Sequence, residues 1–151
     1  MSLKFVRIAV ALAAFASGAA SAAINLPAYN VDTSNTTVSG LSSGGFMANQ
    51  LGIAYSSLFK GVGVFAAGPY MCAGLSNYTA CMYNASISSS ALTNMQNRID
   101  TWSGSQIDNK SNIAGQKVYL FVGTSDTTVG QNPVTALKTQ YTNNGVSTAN
   151  L

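Results

Sequence analysis

The stretch V-S-G-L-S-S-G-G-F at residues 38–46 sets Gly40, Ser42 and Gly44 in the spacing G-x-S-x-G. This spacing marks a serine held on a sharp turn between a strand and a helix, where the backbone lifts the hydroxyl above the sheet. The residues two before and two after the serine are expected to be small so that neighbouring segments can pass. Ser42 is therefore the candidate nucleophile. The helix that follows has unpaired amides at its start, which makes the backbone N–H of Ser43 the candidate oxyanion donor.

Three fixed positions in a chain rich in Gly and Ser also fit a plain flexible turn. The flanking sequence favours the elbow. Phe46, Met47, Gln50, Leu51 and Ala54 recur at helical spacing, and residues 61–67 (G-V-G-V-F-A-A) read as a strand directly afterwards. Before the serine, a short strand is expected at 36–38.

Residues 1–22 read as a secretory signal peptide: Lys4 and Arg7 lead, residues 8–16 form an apolar run too short to span a bilayer, and Ala20-Ser21-Ala22 is an A-x-A cleavage site. Cleavage after residue 22 of 151 leaves 129 residues, enough for one domain, so 23–151 is read as the folded part. An extracellular or periplasmic location follows. Without Lys4 and Arg7 the formal net charge falls from +3 to +1, and neither a nucleic-acid partner nor membrane association after cleavage is expected. Only 7% of residues are charged. That composition also suits a disordered or adhesive coat, but the regular apolar segments supply surface that folding can bury.

In an oxidising compartment Cys72 and Cys81, nine positions apart, are expected to form a disulfide across a short polar loop. A metal site is the alternative, and with no histidine in the chain the ligand set for one is poor. Leu92, Met95, Ile99 and Trp102 recur at three and four and predict a helix ending at Gly104, capped by Ser89 or Ser90. Trp102, in phase with that face, reads as core rather than as a substrate platform.

K-V-Y-L-F-V at 117–122 predicts a parallel strand buried on both faces. Asp126 follows its carboxyl end, where α/β enzymes gather catalytic side chains. It is the candidate acid for orienting a histidine, with an Asx-turn or helix-cap aspartate as the other reading. Asp32, Asp100 and Asp108 lie in less suitable places. Asn132 as cap and Pro133 as first residue predict a helix to residue 143, and Val146 is expected to open another strand.

V-S-G-L-S-S-G-G-F-M-A at 38–48, G-V-F-A-A-G-P-Y at 63–70 followed by Cys72, and V-G-T-S-D-T-T-V-G at 122–130 together resemble the extracellular poly(3-hydroxybutyrate) depolymerases. The likeness covers nearly all of the mature chain. It implies Ser42 as nucleophile, Asp126 as triad acid, Ser43 as oxyanion donor and a Cys72–Cys81 disulfide, with a polyester or small ester as substrate and no metal or organic cofactor. Only 19 mature residues precede Ser42, too few for the strands that an α/β-hydrolase normally threads before its nucleophile. The resemblance accounts for this by a circularly permuted, three-layer α/β-hydrolase sandwich with a mostly parallel sheet, of which this chain is expected to be the N-terminal part. The chain departs from the family in having no histidine. A serine hydroxyl without a general base is a poor nucleophile, so the chain alone is expected to be inactive. The sequons at Asn35, Asn77, Asn84 and Asn109 bear on a eukaryotic host only.

Overall fold

The computed structural model describes residues 25, 27–75 and 77–151; the expected signal peptide lies outside them. All described helices and strands fall within the compact unit Val31–Leu151. In chain order they are β1 (Thr37–Leu41), α1 (Ser43–Ala54), β2 (Gly61–Phe65), α2 (Cys72–Leu75), α3 (Ser89–Trp102), β3 (Lys117–Phe121) and α4 (Gln131–Asn143), joined by short 3-10 turns. The strands form one parallel sheet in the order β1-β2-β3, with Leu41, Phe65 and Phe121 in register at its carboxyl end.

β1 is longer than expected, because Ser39 and Gly40 offer no apolar run to read yet pair with Gly63 and Val64 of β2. It therefore runs straight into the turn at Ser42. β2 and β3 stop at Phe65 and Phe121, short of the residues 67 and 122 expected from the sequence.

One face of the sheet, carrying Val62, Val64 and Val118, packs into a core with Ile53 of α1, Ile99 of α3 and Leu137 and Tyr141 of α4. The other face is not covered among the described residues. Leu41, Tyr119 and Phe121 are 69%, 58% and 52% exposed, and the Phe65 ring on the neighbouring strand lies 5.6 and 6.2 Å, centroid to centroid, from those of Tyr119 and Phe121. The expectation that β3 is buried on both faces is thus corrected to one buried face and one open, with no third layer among the described residues.

The α1 stripe expected to face the core is corrected in part, since Phe46 and Ala54 do pack against it. Met47 is 57% exposed, and the buried positions are Gly45, Ala48, Asn49, Gly52 and Ile53. Small residues let α1 approach the sheet closely: a β-carbon on Gly52 would lie 2.6 Å from Val62 Cγ2. Asn49, though polar, is fully buried because its amide donates to Gly68 O at 3.2 Å and its Oδ1 accepts the Tyr141 hydroxyl at 2.9 Å. A hydrogen-bonded amide can be buried where an unpaired one is costly.

The cap of α3 is Ser88, whose Oγ accepts the Ala91 N–H at 3.2 Å, rather than Ser89 or Ser90. Trp102 is half-buried against the core, with the Arg98 guanidinium 5.7 Å from its ring. α4 starts at Gln131, two residues before Pro133, and its N-cap Gly130 makes no side-chain cap bond. After α4 the chain does not open a strand: Val146 is buried, its N–H donates to Tyr141 O, and a 3-10 turn at Thr148–Asn150 follows.

Candidate active site

Ser42 joins β1 to α1 at φ 54° and ψ −121°, a backbone conformation that residues with a β-carbon rarely adopt. Its N–H donates to Phe65 O at 2.9 Å and its carbonyl accepts the Phe46 N–H at 3.0 Å, so the turn is fixed to β2 on one side and to α1 on the other. The Ser42 side chain is exposed. Ser43 is the first residue of α1, and its amide has no carbonyl partner within the helix.

The two flanking glycines have different reasons. A β-carbon on Gly40 would lie 2.1 Å from Gly44 O, so the strand and the helix start touch there and no side chain fits. A β-carbon on Gly44 would meet nothing within 4 Å. The second position that crowding restricts is instead Gly45, where a β-carbon would lie 2.7 Å from Phe65 O and 2.9 Å from Gly40 O. The expectation that both residues two away from the serine must be small is thus corrected: the requirement falls on Gly40 and Gly45.

Beside the turn is a pocket of about 180 Å³ lined by Ser42, Ser43, Phe46, Tyr78, Met82 and Val129, with Ala73 and Cys81 completing it. Its wall comes from the loop closed by the Cys72–Cys81 disulfide, S–S 2.06 Å. Both cysteines are buried, with Leu92, Met95 and Ala136 packed beside them. The expected disulfide is present, and it builds one side of the cavity that opens on Ser42.

Asp126 lies past the carboxyl end of β3, at the same end of the sheet as Ser42, which follows β1; β2 separates the two strands. Its Oδ1 accepts the N–H groups of Thr128 at 2.8 Å and Val129 at 3.0 Å. These amides, Val129 foremost, hold the carboxyl below the usual aspartate range. Asp126 thus closes an Asx-turn through Oδ1, and these bonds favour its ionised form. It does not line the pocket; Val129, one of its two donors, does.

The other aspartates are engaged elsewhere. Asp32 accepts from Ser34 and Asn35, and Asp108 from the N–H and hydroxyl of Ser57 at 2.8 and 2.6 Å; these bonds lower both carboxyls. Asp100 is partly desolvated, which raises its pKa, but its bonds to Lys110, 2.6 Å away, and Gln96 prevail and lower it. Among the described residues no cluster of three or more His, Cys, Asp or Glu is placed to hold a metal ion.

Sequence reasoning missed Gly45, Met82 and Val129. Their roles come from contacts that an apolar pattern does not record: Gly45 against Phe65 O and Gly40 O, and Met82 and Val129 in the pocket wall beside Ser42.

No protein-family model matches the chain. It is 50% identical over 123 residues to a polyhydroxybutyrate depolymerase of Talaromyces funiculosus, a match covering 81% of this chain and 35% of that protein. It is 48% identical over 160 aligned residues to a poly(3-hydroxybutyrate) depolymerase of Delftia acidovorans, covering all of this chain and 32% of the relative. Two solved structures superpose with TM-score 0.77, each over 83% of this chain and 38% of the other. They are the PHB depolymerase from Penicillium funiculosum, 49% identical, and a serine-to-alanine variant of a PHB depolymerase complexed with an R3HB trimer, 48% identical. The chain therefore spans about a third of the length of the relatives it matches. In sequence and in fold it belongs with the polyhydroxybutyrate depolymerases over the part of their length that it spans.

Proposed function

We propose that this chain carries the nucleophile and the acid of a secreted serine carboxylic-ester hydrolase that degrades poly(3-hydroxybutyrate) or a related polyester. The observation that carries the reading is the backbone of Ser42, set at positive φ between β1 and α1 with its side chain exposed beside an apolar pocket. In the complete enzyme Ser42 attacks the ester carbonyl, and a histidine supplied from beyond Leu151 takes its proton. Asp126 holds that imidazole and stabilises its cationic form. The Ser43 N–H and a second, downstream donor receive the oxyanion, and water then hydrolyses the acyl-enzyme. Both amide bonds to Asp126 fall on Oδ1, so Oδ2 is the oxygen that would meet the ring.

The apolar lining by Phe46, Met82 and Val129 suits the short aliphatic units of such a polyester. The remaining strands and the helices of a circularly permuted α/β-hydrolase belong to the same proposal. They would extend the sheet beyond its present edges and cover the open face.

The absence of histidine supports a second reading, a secreted non-catalytic remnant that has kept the scaffold. An extracellular esterase of other acyl preference is the third. Fusing the chain to the carboxyl-terminal part of the Talaromyces relative and assaying polyhydroxybutyrate films beside short nitrophenyl esters separates them. Film turnover that Ser42→Ala abolishes supports the depolymerase; ester hydrolysis without film turnover supports the other esterase; no hydrolysis by a folded fusion supports the remnant.

A further inference from the structure

Tyr83 and Asn84 are consecutive residues at φ 57° and 53°, in the left-handed region that asparagine tolerates better than most residues with a side chain. The turn they make lies against the Asp126 loop. The Tyr83 N–H donates to Thr128 O and the Asn84 N–H to Val129 O, both at 2.8 Å. The N–H groups of Thr128 and Val129 are the two that converge on Asp126 Oδ1. These two residues are therefore held from both sides, their carbonyls by residues 83 and 84 and their amides by the carboxylate.

The Asn84 side chain secures the same contact one step further on. Its Oδ1 accepts the Asn132 N–H at 2.8 Å, and Asn132 Nδ2 returns a bond to Asn84 O at 2.8 Å. Asn132 is the second residue of α4, whose own N-cap is a glycine, so Asn84 caps this helix from a segment 48 residues earlier in the chain. Gly130, at φ 83°, completes the fit: a β-carbon there would lie 2.5 Å from Asn84 Cβ.

We propose that Asn84 is a positioning residue: by holding Val129 and the start of α4, beside the Tyr83 N–H that holds Thr128, it fixes the amides that orient the Asp126 carboxylate. Its role in catalysis rests on the reading of Asp126 as the triad acid, but the clasp can be tested without activity. Residues 83 and 84 follow directly on the disulfide loop, so the clasp joins the pocket wall beside Ser42 to the acid loop.

The test is an NMR titration of Asp126, with hydrogen exchange at Thr128 and Val129, in the 151-residue chain and its variants. Asn84→Ala is expected to shift the Asp126 titration upward and to speed exchange at both amides. Asn84→Gly, which keeps the left-handed backbone and loses the cap, should fold if the alanine variant does not and should shift Asp126 in the same direction. Thr139→Gly weakens α4 at an exposed site away from the clasp and should leave the titration in place. An unchanged Asp126 titration in folded Asn84→Gly overturns the proposal, as does an equal shift in Thr139→Gly. If the shift is seen but Asp126→Asn leaves the fusion enzyme fully active, the clasp stands and the assignment of Asp126 as acid fails.

Discussion

Val129 donates its backbone N–H to Asp126 Oδ1 at 3.0 Å and also lines the pocket that opens on Ser42. One residue thus connects the acid loop to the serine side of the site. Asp126 itself does not line the pocket; in the proposed triad an imidazole would lie between its carboxylate and the Ser42 hydroxyl.

This relationship predicts a pH dependence. A carboxyl whose folded-state pKa is lowered favours the native state above its unfolded value, about 3.9 for aspartate, and loses that contribution as pH falls through the folded value. Asp126→Asn keeps an oxygen for the Thr128 and Val129 amides but removes the charge. The variant is expected to be less stable than the parent at neutral pH, with the gap closing on acidification below the ordinary carboxylate range. Denaturant midpoints across that range check it; a gap independent of pH would show that the amide bonds do not favour the ionised form.

The glycines around Ser42 predict an unequal mutational pattern. Gly40→Ala drives a methyl into the backbone of Gly44 and is expected to cost about 3 kcal/mol or more, or to prevent folding. Gly45→Ala meets Phe65 O and should cost about 1 to 3 kcal/mol. Gly44→Ala points into open space within a helix and should be neutral or stabilising by up to about 1 kcal/mol. Thermal melts of the three variants give the order directly.

The contrast of Gly44 with Gly40 and Gly45 also shows what was legible in the sequence. The turn at Ser42, the helix after it and β3 were readable because a motif or an apolar run records each locally. The cap of α4 was not, since the local candidate Asn132 is itself held by Asn84 from a distant segment. The buried face of α1 was missed for a related reason: Asn49 and Gly52 face inward because of Tyr141, Gly68 and Val62, while Met47, the more apolar residue, faces out. β3 was read as buried on both faces because Tyr119 and Phe121 are apolar, although the described residues place nothing over them.

The disulfide is expected to matter to the pocket as well as to stability. Closing a loop of nine positions stabilises by roughly 2 to 3 kcal/mol in the chain-entropy account. Cys72→Ser with Cys81→Ser should lower stability by about that amount, and it should also free Tyr78 and Met82, which line the Ser42 pocket. Chemical-shift changes at Ser43 and Val129 in the double variant would register the loosened wall; unchanged shifts there would confine the disulfide to a purely stabilising role.

The open sheet face yields the last prediction. Leu41, Tyr119 and Phe121 are more than half exposed on one face, with Phe65 beside them, and an apolar surface of this kind drives association when left in water. Replacing Leu41, Tyr119 and Phe121 together by threonine puts β-branched residues suited to strands in their place while removing the large apolar groups. Because the opposite face holds the core, each substitution should cost no more than about 1 kcal/mol, mainly through lost cross-strand contacts. The triple variant is therefore expected to keep its circular dichroism spectrum and cooperative melt, and to remain monomeric at concentrations where the parent chain self-associates in sedimentation velocity. Equal association of parent and variant would mean that another surface, such as the unpaired outer edge of β1 or β3, governs contact between copies. Loss of the folded spectrum would mean that these side chains stabilise the sheet far more than their exposure indicates.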